Sequence, residues 1–167
     1  MQYLPFCSVC IAQAVLLLIA ANGGPIVFHI LLGKYFSMPI DMGKVLADGH
    51  PLFGSSKTWR GLVAAITVTM LVAPIFDLSL LIGALFGLLS ITGDLMASFT
   101  KRRLGLPDSS RTRGIDVIPE SLLPAFILQD QLGLGWIDIV TVVGMFFFVE
   151  LFLSPVLYRM HIRNRPY

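Results

Sequence analysis

The chain is poor in the residues that cover a soluble surface. Of its 167 residues, 12 are Lys or Arg and 10 are Asp or Glu, so only 13% are charged, while 56% are hydrophobic and mean hydropathy is +0.82. A soluble domain of this size cannot bury that much apolar area, which excludes one and points to an integral membrane protein with room for four to six spans. Cysteine is scarce too. Cys7 and Cys10 form a lone CxxC, read here as ordinary small helix residues rather than a redox or metal pair. The three histidines, His29, His50 and His161, are scattered without HExxH spacing, which speaks against a zinc site. No basic stretch precedes the first apolar run, so it reads as a span and not as a cleavable signal peptide. No polar linker or protruding domain interrupts the chain, and there is no internal repeat.

What is present is a series of apolar runs, each near the 20 or so residues that a helix needs to cross hydrocarbon. They cover about 6–32, 58–76, 78–99, 117–132 and 136–158. The fourth is short and holds Pro119 and Pro124. The expected fold is an all-α bundle of about five transmembrane helices, one domain over residues 1–167. Lys34, Lys44, Lys57 and Arg60 follow the first run. Lys101, Arg102, Arg103, Arg111 and Arg113 follow the third, and Arg159, Arg163 and Arg165 the fifth. With five crossings all these cations fall on one side, which places the N-terminus outside and the C-terminus in the cytoplasm. The expected location is the cell (inner or plasma) membrane, multi-pass.

The two cytoplasmic loops read GKYFSMPIDMGKVLADGHPLFGSSKTWRG and KRRLGLPDSSRTRGIDVIPES. Lysine and arginine alone would be orientation signals, but Asp41, Asp48, Asp94, Asp108 and Asp116 fall in or next to the same segments. Interleaved acids and cations suit a site that binds a metal ion and phosphates together. At 100° per residue, Gly83, Gly87, Ser90, Asp94, Ser98 and Lys101 share one stripe of the third helix. Gly83 and Gly87 have the small-xxx-small spacing of closely packed membrane helices, so the stripe faces the bundle. Asp94 is then either a structural ion-pair partner or a cation ligand at the mouth of a polar cavity, since a carboxylate at that depth must be paired or solvated. Arg102 lies at the stripe's edge. Arg103 lies on the far side, where it would face headgroups or solvent. GSSKT at 54–58 lacks the glycines of a Walker A motif, yet it leads into a helix N-terminus, which suits an anion. Asp48-Gly49 starts like a CDP-alcohol phosphotransferase signature, whose remaining residues are missing. Glu150, in the fifth run, closes the cavity or pairs with a cation.

Taken together, several pieces resemble the CDP-archaeol synthase family, relatives of the CDP-diacylglycerol synthases. They are Ala21-Asn22 with Pro25, Pro39-Ile40-Asp41-Met42-Gly43, Leu52-Phe53-Gly54, Lys57-Thr58-Trp59-Arg60-Gly61, and Gly93-Asp94 with Ser98-Phe99 and Lys101-Arg102-Arg103-Leu104-Gly105. The resemblance implies a five-helix membrane enzyme that transfers CMP from CTP to a lipid phosphate with Mg²⁺, giving a CDP-lipid and pyrophosphate. By position, Asp94 and Asp116 look like metal ligands, and Lys57 like a catalytic contact to the triphosphate. Thr58, Arg60, Lys101 and Arg102 look like further triphosphate contacts, and Ser98 joins them as a substrate-binding residue. Asn22 and Asp41 look like nucleotide or lipid-phosphate contacts. After Asp116 the family's Gln is Val117, and the segment Ile118-Pro119-Glu120-Ser121 is expected to border the lipid. The acceptor is an isoprenoid ether-lipid phosphate or a related phospholipid, and no nucleic-acid partner is expected. Two other classes stay open: a non-catalytic lipid- or partner-binding protein of the same fold, and a small transporter with Asp94 and Glu150 on an ion path.

Overall fold

The computed structural model describes residues 6–33, 35–107 and 114–159, with side chains through residue 152. Lys34, Asp108, Arg111, Arg113, Arg163 and Arg165 lie outside the described residues. The described chain is helical throughout, apart from isolated β-bridges in the first loop. Helix α1 spans Ser8–Leu32, α2 Trp59–Val72, α3 Leu80–Arg103, α4 Val117–Ile127, α5 Gln129–Leu132 and α6 Trp136–Arg159. A 3₁₀ turn, Ala73–Phe76, extends α2. Among the described residues, three segments are long and apolar enough to cross a membrane: Ser8–Leu32, Trp59–Phe76 and Leu80–Arg103. The 11 residues of α4 rise only about 16 Å, well short of the roughly 30 Å hydrocarbon layer.

Local chemistry sets the ends. Thr58 caps α2 by accepting the Gly61 N–H at 3.2 Å, and Ser79 caps α3 by accepting that of Ile82. Between them Asp77 takes a left-handed conformation, φ 58°, which closes the α2–α3 turn in very few residues. Packing then closes a ring: α1 against α2, α2 against α3, α3 against α4, α4 against α6, and α6 back against α1. Leu17, Leu18, Phe86, Ile139, Val142 and Phe146 fill its centre. Leu16, Ile30, Leu71, Leu81, Val140 and Phe148 stay exposed on the outer faces, as a bundle dissolved in lipid requires.

The small-residue stripe of α3 is where the sequence places it. A Cβ on Gly83 would come within 2.6 Å of Ala73 Cβ and Thr69 O, and one on Gly87 within 2.8 Å of Ala65 O. The α2 backbone therefore lies directly against α3. Further along, a Cβ on Gly93 would sit 2.7 Å from Glu120 Cα, so α4 makes the same close approach on the other side.

One expectation is corrected. Cys7 and Cys10 are a disulfide, not independent helix residues. Cys7 caps α1, its sulfur accepting the Cys10 N–H, and its own N–H donates to Asp138 at the start of α6. The CxxC spacing on a first helical turn brings the sulfurs together, and it fits a structural helix turn equally well.

Candidate active site

The first loop is a folded unit. Ile40 N–H donates to Lys57 O at 2.8 Å and Trp59 N–H to Met38 O at 3.1 Å, which ties its two ends together. At its centre Asp41 is 4% exposed, and its carboxylate accepts the N–H groups of Gly43, Phe53 and Gly54 at 2.9–3.0 Å. Burial alone would push the Asp41 carboxyl up. The three N–H groups outweigh it and hold the carboxyl below the ordinary aspartate range. Arg103, at the end of α3, fastens the loop from outside. Its guanidinium pairs with Asp48 at 2.5 Å and donates to the carbonyls of His50 and Pro51. The His50 N–H and the Arg103 charge both hold Asp48 below its ordinary value. The expectation that Arg103 faces headgroups or solvent is therefore corrected: the helix does continue through the cluster, but the loop folds back over its far side.

This folded loop delivers Lys57 into the bundle. Lys57 Nζ lies 2.5 Å from Asp94 Oδ2, and the two side chains are 21% and 19% exposed. The charges of Glu120 and Asp116 also act on Lys57. One helical turn below Asp94 in the chain's sense come Ser98 and then Lys101, both buried. Lys101 Nζ lies 2.6 Å from Asp116 Oδ1 at the start of α4. That oxygen is buried and receives no aligned hydrogen bond, so the contact is charge against charge. Arg102 is also buried, 3% exposed. On the opposite wall Asn22 of α1 donates its amide to Glu120 Oε1. Four elements thus converge on one polar centre inside an apolar bundle: α1, the first loop, α3, and α4 with the residue that opens it.

Of the residues singled out by sequence, Asp94, Asp116, Lys57, Lys101 and Asn22 meet here, with Ser98 and Arg102 buried on the same helix. Thr58 is adjacent to Lys57, its hydroxyl oxygen capping α2. Arg60 and Asp41 are employed elsewhere. Arg60 donates to the carbonyls of Gly33 and Tyr35 and contacts His29 Nδ1, closing the C-terminal end of α1. All of Asp41's contacts described above hold the loop together.

Glu120 is the functional candidate that sequence reading missed. Within the segment expected to border the lipid, Ile118 is exposed on the outer face while Glu120 turns inward and is only 7% exposed. The available signal was its spacing: Glu120 stands four residues after Asp116, one helical turn on, so the two carboxylates share a face. Glu150, half-buried on α6, is near enough for its charge to act on Glu120.

The donor set suits a hard divalent cation. Asp94, Asp116 and Glu120 offer carboxylate oxygens, one of them the buried Asp116 Oδ1. Mg²⁺ ordinarily takes one or two carboxylates and completes its shell with water and substrate phosphate. Among the described residues no three acidic, His or Cys side chains form a ready-made cage. Each carboxylate faces a lysine or an amide.

The chain is similar to known proteins. A family model described as CarS-like CDP-archaeol synthase matches residues 9–82. A CDP-archaeol synthase of Saccharolobus islandicus is 34% identical over 135 residues, 77% of this chain and 81% of that protein. One from Pyrococcus furiosus is 38% identical over 106 residues, 58% of this chain and 60% of that protein. Among solved structures, an intramembrane enzyme for archaeal membrane lipids biosynthesis aligns with a TM-score of 0.69 and 26% identity, over 84% of this chain and 90% of that one.

Proposed function

The chain belongs to the CDP-archaeol synthase family and is a CTP-dependent cytidylyltransferase acting on a lipid phosphate; on that premise we propose that its acceptor is an isoprenoid ether-lipid phosphate or a related phospholipid. The observation that supports the catalytic reading is the polar centre itself, where Lys57 and Lys101 meet three carboxylates inside a membrane bundle, and the acceptor follows from the likeness to CDP-archaeol synthases.

The chemistry needs little more. A lipid phosphate oxygen is already a nucleophile. It attacks the α-phosphorus of CTP, the bond to the β-phosphate breaks, and pyrophosphate leaves. No catalytic Ser or Cys is required. What is required is that two polyanions be held in line with their charge offset. In this reading Lys57 and Lys101 hold the triphosphate, and Arg102 reinforces them. Asp94 and Asp116, joined by Glu120, hold Mg²⁺. When bound, that ion would neutralise the phosphates and stabilise the departing pyrophosphate. Asn22 holds the Glu120 carboxylate in place. Asp41, Thr58, Arg60 and Arg103 shape the loop and helix ends that bring Lys57 in.

We also propose five crossings in the cell membrane, with the N-terminus outside and the C-terminus cytoplasmic. Two contacts support this. Cys7 at the start of α1 touches Asp138 at the start of α6, so both helices begin at one end. Arg103 joins the end of α3 to the first loop at the other, where the cations gather. The fourth segment runs between those ends, from Asp116 beside Lys101 to Gly133, whose added Cβ would lie 3.5 Å from Cys10 Sγ.

The test is purified protein in nanodiscs with labelled CTP, Mg²⁺ and a panel of ether- and ester-linked lipid phosphates. Formation of CDP-lipid and pyrophosphate, greatest with isoprenoid ether acceptors, is the expected result. Turnover of ester acceptors alone would rule out the isoprenoid ether acceptor and leave the related phospholipid, and no turnover with any acceptor would overturn the catalytic reading.

A further inference from the structure

Two of the three carboxylates assigned above to the divalent cation, Asp94 and Asp116, are each paired with a lysine assigned to phosphate, while Glu120 is held by the Asn22 amide. Lys57 Nζ stands 2.5 Å from Asp94 Oδ2, and Lys101 Nζ 2.6 Å from Asp116 Oδ1. The two sets of partners compete. An ammonium at 2.5 Å takes the carboxylate oxygen that a metal would use, and a carboxylate at that distance takes the ammonium from a phosphate.

We propose that these two ion pairs are a charge-exchange latch that makes cation and polyphosphate binding strongly cooperative. This rests on the cytidylyltransferase reading and adds to it how the site loads. A divalent cation arriving alone meets the ammonium of Lys57, which is about 80% enclosed and also acted on by Glu120 and Asp116. It must displace that charge or sit beside it. A polyphosphate arriving alone meets three carboxylates, and drawing the lysines away leaves those carboxylates unpartnered in a half-buried site, which is costly. When both arrive, the lysines pass to phosphate oxygens and the carboxylates to the cation. Every charge keeps a partner through the exchange. Linkage makes the effect reciprocal: whatever factor the cation adds to nucleotide affinity, the nucleotide adds to cation affinity. The Lys101–Asp116 contact, a charge pair without an aligned hydrogen bond, is suited to such a trade.

Opening the latch from one side should favour the opposite ligand. In Lys57→Met, Mn²⁺ alone, followed by electron paramagnetic resonance, is expected to bind at least tenfold more tightly than in wild type. In Asp94→Asn, CTP in EDTA, followed by calorimetry, is expected to bind at least tenfold more tightly. Lys44→Met removes the same charge from the exposed loop surface and should change neither. A Lys57 that served only phosphate would leave Mn²⁺ affinity unchanged, and an Asp94 that served only the metal would leave metal-free CTP affinity unchanged. Either unchanged value, in a variant that retains the wild-type melting temperature, overturns the latch. If one variant does not fold, the other arm decides. Wild-type turnover with both affinities unchanged would sink the latch and leave the catalytic reading standing. Tighter Mn²⁺ binding in Lys57→Met, in a protein that never forms CDP-lipid, would do the reverse.

Discussion

Two aspartates of this chain show how burial with the same charge serves opposite ends. Asp41 turns its carboxylate onto three backbone N–H groups, and Asp94 turns its own onto a side-chain cation. The first arrangement is fixed by the loop's own fold. The second can be exchanged. Asp94→Asn should therefore abolish turnover while insertion and melting temperature change little. Glu120→Gln should lower kcat/KM by roughly ten- to a hundredfold, the value of about 1.5–3 kcal/mol for one charged contact. If Asp94→Asn instead lost activity only in proportion to folded protein, the residue would be a structural ion-pair partner. For Asp41 the sign follows from its lowered carboxyl. Its contribution is fully present above the ordinary aspartate value of about 3.9 and fades as pH falls through the lower folded value. Protease cleavage of the first loop should thus rise only in strong acid. Asp41→Asn should show fast cleavage at neutral pH, where the wild type resists.

Helix α3 does the work of placing the site at the scale of elements. Its glycines let α2 and α4 approach on two sides, and its polar residues then face the gap between them. Gly93 is the sharpest case, because an added Cβ meets backbone: Glu120 Cα at 2.7 Å and Pro119 C at 2.5 Å. Backbone cannot rotate away, so Gly93→Ala should push α4 outward and carry Glu120 from Asp94 and Lys57. The expected result is a drop in kcat of at least tenfold with a loss of about 1–3 kcal/mol in stability. Gly23→Ala on α1 is the control. Nothing lies within 4 Å of its added Cβ, and Ala is the better helix former, so activity and stability should hold. Equal damage at both positions would mean that helix flexibility, not close approach, is what the glycines supply. Much of α3 was legible beforehand, since a stripe of Gly, Ser, Asp and Lys at helical spacing in an apolar run has one natural reading. The close approach of α4 was not. It depends on Pro119 and Glu120, residues remote in sequence from Gly93, and nothing in the run Ile118-Pro119-Glu120-Ser121 says which glycine of α3 it meets. The contacts of Arg60 were not legible for a related reason: the carbonyls of Gly33 and Tyr35 to which it donates stand 25 or more residues away.

For the whole molecule, the bundle gathers the cations of the first loop and of the end of α3 at one end and carries its disulfide at the other, and this asymmetry underlies the proposed seating in a membrane. The cations of the first loop and of the last turn of α3 lie together, joined by Arg103 and Asp48. In the proposed orientation they lie on the cytoplasmic side. The α2–α3 turn and the α5–α6 turn then lie outside. Single cysteines introduced into a Cys7→Ser, Cys10→Ser background report this directly. Ser55 and Ser79, both exposed, stand at opposite ends of α2, and exposed Gln131 lies in α5. With a membrane-impermeant maleimide and intact cells, Ser79→Cys and Gln131→Cys should label from outside. Ser55→Cys should label only after the cells are opened. Labelling of Gln131→Cys from the same side as Ser55→Cys would show that the short α4–α5 segment does not traverse the bilayer. The C-terminal helix would then run the other way, in conflict with the contact between Cys7 and Asp138 that sets α1 and α6 side by side and parallel.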